Sequence, residues 1–183
     1  MRPSFQQADL LTEAWDLPVA RRYRPLQPQG FSSICGPTSV ANVLRSLEVK
    51  TGRNPLRGFG LRAMTLDQLV SEAAEVAPAG WRVTAVRPRS VDALRAELSA
   101  ANLEHRRYVG NFVRSAIFGH GGGHHSPIGG FLEREDLAFV LDVNASYGPW
   151  LVPTEKLFEA MTAVDRSSGK ARGLARFERA EGP

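Results

Sequence analysis

Cysteine is nearly absent from this 183-residue chain, which has only Cys35. A single thiol excludes an intrachain disulfide framework and any zinc or iron–sulfur site built from several cysteines, and it suits a reducing compartment. No stretch approaches the ~18 consecutive apolar residues of a membrane span, and Met1 to Trp15 lacks the cationic start and apolar run of a secretion signal. The expected location is therefore the cytoplasm, with no membrane partner. Charge of one sign is not concentrated either. The net charge is +4, but the arginines are scattered among 19 acidic residues, with short groups at Arg21-Arg22-Tyr23-Arg24 and Arg106-Arg107. This pattern reads as a solvated basic surface, so no nucleic-acid partner is expected. Internal repeats are lacking, and the one biased stretch is Gly- and His-rich, at residues 119–130. With 43% hydrophobic and 23% charged residues, the composition is that of one globular domain.

Prolines 3, 18, 25 and 28 break up the start of the chain, so residues 1–28 are expected as an extended arm and residues 29–183 as a single domain. Behind Gly36-Pro37-Thr38-Ser39, the apolar Val40, Val43, Leu44 and Leu47 recur at helical spacing, which puts Cys35 at or beside a helix N-terminus. A loop is expected over Gly52 to Arg62. Helices are expected from Leu66 to Ala77 behind Thr65 and from Val91 to Ala101 behind Ser90, with a strand at Trp81 to Val86 between them. Later come strand candidates at Arg107 to Val113, Ile128 to Leu132, Ala138 to Val143 and Gly173 to Arg179, with a helix from Thr154 to Val164. Helices first and strands later is the α+β pattern, a helical lobe on an antiparallel sheet.

Three residues could carry chemistry together: a Cys at a helix N-terminus, His124 in a glycine-rich turn opening a strand, and Asp142 at the end of the next strand. A nucleophile, a base and an orienting carboxylate can be assembled by the fold from such separated positions. The helix terminus and a nearby imidazolium would both favour the thiolate. Taken singly, each has a plainer reading: a buried inert thiol, a hydrogen-bonded structural histidine, a turn or cap residue.

The stretch Phe31-Ser32-Ser33-Ile34-Cys35-Gly36-Pro37-Thr38-Ser39-Val40-Ala41-Asn42-Val43-Leu44 resembles the nucleophile segment of the phytochelatin synthase family of papain-like cysteine enzymes. Gly123-His124-His125-Ser126-Pro127-Ile128-Gly129-Gly130-Phe131 and Leu141-Asp142-Val143 are similar to that family's Gly-His-Phe-Ser-Pro-Ile-Gly-Gly-Tyr and Leu-Asp-Val motifs, with the same step from His to Asp. A third block, from Ala160-Met161 through Asp165 to Ser168-Gly169-Lys170-Ala171-Arg172-Gly173, resembles the family's Thr-Gly-Lys-x-Arg-Gly tail. The likeness covers Gln29 to Leu47 and Tyr108 to Leu174, roughly half the chain.

The resemblance implies a papain-like fold with Cys35 as nucleophile, His124 as general base and acid, Asp142 as the group that fixes the imidazole, and Gln29 as an oxyanion-hole donor. It further implies that Asp165 and Arg172 hold the zwitterionic end of a γ-glutamyl group, with Gly123 and Ser126 beside the substrate and Arg114 either structural or substrate-adjacent. The implied activity is cysteine-dependent acyl transfer on a γ-glutamyl-cysteinyl peptide such as glutathione, by way of a thioester and with hydrolysis favoured over dipeptidyl transfer. No protein-bound metal or other cofactor is expected; any divalent-metal dependence would act through metal bound by the thiol substrate. With no cysteine-rich domain after residue 174, the chain resembles the short bacterial half-molecules of the family, and a homodimer is left open.

Two departures stand out. His125 replaces the family's Phe, and the run Val143-Asn144-Ala145-Ser146-Tyr147-Gly148-Pro149-Trp150 is shorter than the family's and lacks its arginine and lysine. The altered loop keeps a second donor in view, another γ-glutamyl or small peptidyl substrate. His120, His124, His125 and Cys35 also allow a metal-binding module. A catalytically silent relative is the third alternative.

Overall fold

The computed structural model describes residues 7–47 and 62–179. Helices α1 (Ala8–Asp16) and α2 (Pro18–Arg21) occupy the segment expected as an extended arm. Proline does not oppose helix here, because Pro18 sits in the first turn of α2, where an N–H has no intrahelical partner to lose. Leu10, Leu11, Ala14 and Trp15 face one way and pack on the core, with Trp15 edge-on to Phe139 at 5.1 Å.

Helix α3 (Cys35–Ser46) follows a short 3₁₀ turn, Ser32–Ile34, and is buried almost throughout. The expected loop at Gly52 to Arg62 lies outside the described residues except for Arg62. Helix α4 (Leu66–Val76) begins with a capping box in which Thr65 and Gln68 satisfy each other's backbone N–H groups. Strand β1 (Trp81–Val86) leads to α5 (Val91–Ala100), capped by Ser90, and then to β2 (Arg106–Val113) and the single turn α6 (Arg114–Phe118). Next come β3 (Gly123–Leu132), β4 (Leu137–Val140), β5 (Trp150–Pro153) and α7 (Thr154–Thr162). The small pair β6 (Val164–Asp165) and β7 (Lys170–Ala171) precedes β8 (Gly173–Arg179).

The main sheet runs in the order β1-β8-β2-β3-β4-β5, antiparallel throughout, while β6 and β7 pair by themselves. Alternation along the strands divides the core in two. Val109, Phe139, Leu151, Ala175 and Phe177 face the side covered by α1, α3 and α4. Tyr108, Phe112, Val140, Trp150 and Leu174 face the side covered by α5 and α7. Helices thus cover both faces of the antiparallel sheet, in keeping with the expected α+β class. The register of β3 against β4 slips between Ile128 and Gly130; Gly130 has φ +151°, and a Cβ there would lie 2.5 Å from Leu17 Cδ1. Among the described residues no helix is long and apolar enough to cross a membrane.

Candidate active site

Cys35 opens α3, whose N-cap residue Ile34 has no side chain able to accept from the first-turn N–H groups. The positive end of the helix therefore has no side-chain cap at the thiol. Ser39, one turn on, has its Oγ 2.7 Å from Cys35 O and 3.1 Å from His125 O, which ties the first turn of α3 to β3. Asn42 donates to Gln27 O and accepts from Gln27 N, both at 2.9 Å, and so fixes the strap that carries Gln29.

His124, second residue of β3, has its Nε2 3.0 Å from Asp142 Oδ1 and 2.9 Å from Ser126 Oγ. That leaves Nδ1 to face the thiol. Asp142 lies two residues past the end of β4 and is saturated with donors: Arg114 Nη2 at 2.7 and 2.9 Å, Trp150 Nε1 at 3.0 Å and the Asn144 N–H at 2.9 Å, besides His124. Burial works against its charge, but the hydrogen bond to His124 and the Arg114 guanidinium outweigh it and hold the carboxyl below its usual range. In His124 burial is likewise overcome, by Asp142 and Cys35, and the imidazolium is favoured. The Cys35 thiol, also opposed by burial, is pulled down to about 5 by hydrogen bonds from His124 and then His125. The arrangement is a thiolate–imidazolium pair backed by a carboxylate.

His125 enters the same site from the next position on the strand. Its Nδ1 lies 3.8 Å from Cys35 Sγ and its Nε2 3.0 Å from Asn111 Nδ2. A cavity of about 240 Å³ opens over Cys35 and His125, with Met64, Thr65 and Gln68 on one side and Asn111, Gly123, Asp165, Ser167 and Arg172 on the other. The β6–β7 hairpin sets Asp165 beside Arg172, with Oδ2 and Nη1 3.4 Å apart. The Asp165 Oδ1 also accepts from Ser167 N at 3.0 Å. Gly123 makes room for the arginine, since a Cβ at that position would lie 2.5 Å from Arg172 Nη1.

Cys35, His124 and Asp142 are thus together, and Asp165, Arg172 and Gly123 line the cavity. Ser126, expected beside the substrate, and Arg114, expected as structural or substrate-adjacent, are turned away from it. Arg114 is spent on Asp142 and on the Tyr147 ring, 4.2 Å from its guanidinium carbon, while Ser126 Oγ binds His124 and accepts from Val143 N at 3.3 Å. Gln29 is anchored by its N–H to Val143 O at 2.7 Å, and its Nε2 donates to Phe31 O at 2.9 Å. His120 stays with Phe118 and Tyr147, ring centroids 6.5 and 6.4 Å away. Among the described residues no three or more His, Cys, Asp or Glu side chains converge as metal ligands.

Sequence reasoning overlooked Asn111, Ser39, Asn42 and the indole of Trp150. The first three are polar residues set among apolar ones in β2 and α3, a signal that a buried strand or helix makes visible. Trp150 carries no comparable signal.

A cysteine at a helix start against a sheet bearing His and Asp defines a papain-like cysteine peptidase fold. Two solved structures share it. One is a double glycine motif protease from an AMS/PCAT transporter, in complex with its leader peptide (TM-score 0.54, 14% identity, covering 85% of this chain and 91% of that one). The other is the peptidase domain of Streptococcus ComA, a bi-functional ABC transporter involved in quorum sensing (TM-score 0.54, 17% identity, covering 85% of this chain and 97% of that one).

Within that fold the chain belongs to the phytochelatin synthase family, whose model matches residues 3–174. It is 29% identical to glutathione gamma-glutamylcysteinyltransferase 2 of Arabidopsis thaliana, over 84% of this chain and 38% of the relative. It is 30% identical to glutathione gamma-glutamylcysteinyltransferase 1 of Lotus japonicus, over 84% of this chain and 34% of the relative. The chain therefore spans little more than a third of the length of these curated relatives.

Proposed function

We propose that this chain is a cysteine-nucleophile acyltransferase that takes a γ-glutamyl-cysteinyl peptide such as glutathione, cleaves its Cys–Gly bond and passes the acyl group mainly to water. The observation that carries the reading is the Cys35–His124–Asp142 array at the edge of a cavity whose far wall presents Asp165 and Arg172 side by side. A γ-glutamyl end bears one ammonium and one carboxylate on the same carbon, and this pair offers each its opposite charge. The relatives' name, glutathione gamma-glutamylcysteinyltransferase, specifies the same donor and acyl group.

The thiolate of Cys35 attacks the Cys–Gly carbonyl carbon, forming a C–S bond. The second Nε2 hydrogen of Gln29 and the Cys35 backbone N–H stabilise the developing oxyanion. His124, protonated at Nδ1, gives that proton to the glycine nitrogen as the C–N bond breaks. Neutral His124 then takes a proton from water, which adds to the thioester and releases γ-glutamylcysteine. Asn144 to Trp150 carry no cation, so a second anionic glutathione meets little attraction on that rim, which favours water as acceptor. A divalent metal, where required, enters with the thiol substrate.

Mixing the protein with glutathione should add the mass of one γ-glutamylcysteine, less water, to the native chain and nothing to Cys35→Ala, with free glycine released. Absence of both adduct and glycine overturns glutathione as donor and directs the search to other γ-glutamyl peptides. Gly123→Ala tests the recognition pair. Its methyl group pushes the Arg172 guanidinium aside, so KM for glutathione should rise by roughly tenfold, the order of one lost charge-assisted hydrogen bond, with kcat changed much less. An unchanged KM would detach Arg172 from substrate binding.

A further inference from the structure

Asn111, on the strand beside His125, has an amide with only one sensible orientation. Its Nδ2 lies 3.3 Å from the His124 carbonyl oxygen, which can only accept, and its Oδ1 lies 3.5 Å from Arg172 Nη1, which can only donate. The hydrogens are therefore on Nδ2, and the His125 Nε2 that sits 3.0 Å away must be the accepting, unprotonated ring nitrogen. The single proton of the neutral ring is then on Nδ1, the atom 3.8 Å from Cys35 Sγ. A second proton could go only onto Nε2, against the Asn111 N–H, in a ring that is 3% exposed. His124 differs in kind, because the carboxylate behind its Nε2 supports a charged ring.

The geometry points to His125 as a second catalytic residue: an Nδ1–H donor, held in that orientation by Asn111, which stabilises the Cys35 thiolate and so makes this sulfur a better leaving group when the acyl-enzyme is hydrolysed. The inference rests on the proposed role of Cys35 as acyl carrier. The family motif has phenylalanine at this position, with no donor to offer, so the device is a feature of this chain. A less basic thiol attacks more weakly but leaves faster. In deacylation, water adds to the thioester carbonyl carbon and gives its proton to His124 Nδ1. The tetrahedral intermediate then collapses by breaking the C–S bond, whose electron pair returns to Sγ between the His125 N–H and the His124 imidazolium. Across the cavity the charged groups are Asp165 and Arg172, which pair with each other, and from the α4 side Thr65 and Gln68 bring no charge.

The test needs no substrate: the pH dependence of Cys35 alkylation by iodoacetamide reads the thiolate directly. His125→Phe should raise the midpoint by about one pH unit, tenfold less thiolate on the acid side. His125→Gln, which keeps an N–H donor, should stay close to the native midpoint. Asn111→Leu removes the partner that holds the ring, so the midpoint should rise part of the way towards that of His125→Phe. With glutathione, His125→Phe should also accumulate more acyl-enzyme at steady state. An unmoved midpoint in folded His125→Phe overturns the inference, and if that variant fails to fold, an unmoved midpoint in Asn111→Leu does so. Failure of glutathione as donor would leave the alkylation results intact, which keeps the two readings separate.

Discussion

Replacing His124 with alanine is expected to lower turnover of a γ-glutamyl-cysteinyl peptide by roughly ten-thousand-fold or more, the scale seen when a member of a nucleophile–base pair is removed. Two losses combine. The thiolate loses its imidazolium partner, and the glycine nitrogen loses its proton donor, a place His125 does not take because its Nδ1 faces sulfur. Alkylation of Cys35 should therefore fall far less than turnover, since the His125 hydrogen bond remains. The same pair sets the pH profile. Activity should fall as pH drops through about 5, where Cys35 takes up its proton, and again above the raised pKa of His124, where the ring has no proton to give. Single-turnover glycine release, measured beside iodoacetamide rates, checks both. Turnover within tenfold of native would remove His124 from the proton pathway.

Asp142→Ala should be costly to the fold as well as to the reaction. Arg114, with a side chain only 10% exposed, would lose its counter-ion, and the Trp150, Asn144 and His124 N–H groups would lose their acceptor. Stranding a buried charge costs about 3–5 kcal/mol, or a Tm lower by about 10 °C in a chain of this size. Turnover should drop by roughly a thousandfold or more as His124 loses its orientation. The double change Asp142→Ala with Arg114→Met should recover part of the stability and none of the activity, which separates the two roles. Because the folded Asp142 carboxyl ionises below its normal range, its contribution is fully present above about pH 4, the unfolded value, and disappears as pH falls through the depressed one. Thermal melts of the three proteins decide this. A loss under about 1 kcal/mol in Asp142→Ala would mean that the buried pair adds nothing net.

The parts of the site that were legible in the sequence are those announced by local chemistry. Pro37 in a first helical turn places Cys35, and a glycine run before an apolar stretch places His124. The polar groups around them are legible only through register. Nothing in the sequence near His125 points to Asn111, fourteen residues earlier, until β2 and β3 pair Asn111 with it. The motif match left Arg114 as either structural or substrate-adjacent, and only the fold shows the buried carboxylate it binds, Asp142. Helical periodicity shows which face of α5 or α7 is apolar but not which side of the sheet it will cover. The β6–β7 hairpin, with two residues in each strand, is too short for any alternation to show.

The position of β8 bears on when the described sheet is assembled during synthesis. It is the last described strand made, yet it lies between β1 and β2, with Val83 and Val109 on either flank paired to Phe177 and Ala175. Until it emerges, β1 has no place in the main sheet and β2 presents a bare hydrogen-bonding edge. Arg172, the residue immediately before β8, arrives with it. A ribosome-bound chain that has already made Cys35, His124 and Asp142 thus lacks both a continuous sheet and part of its cavity lining, and Cys35 does not face the whole cavity before β8 enters between β1 and β2.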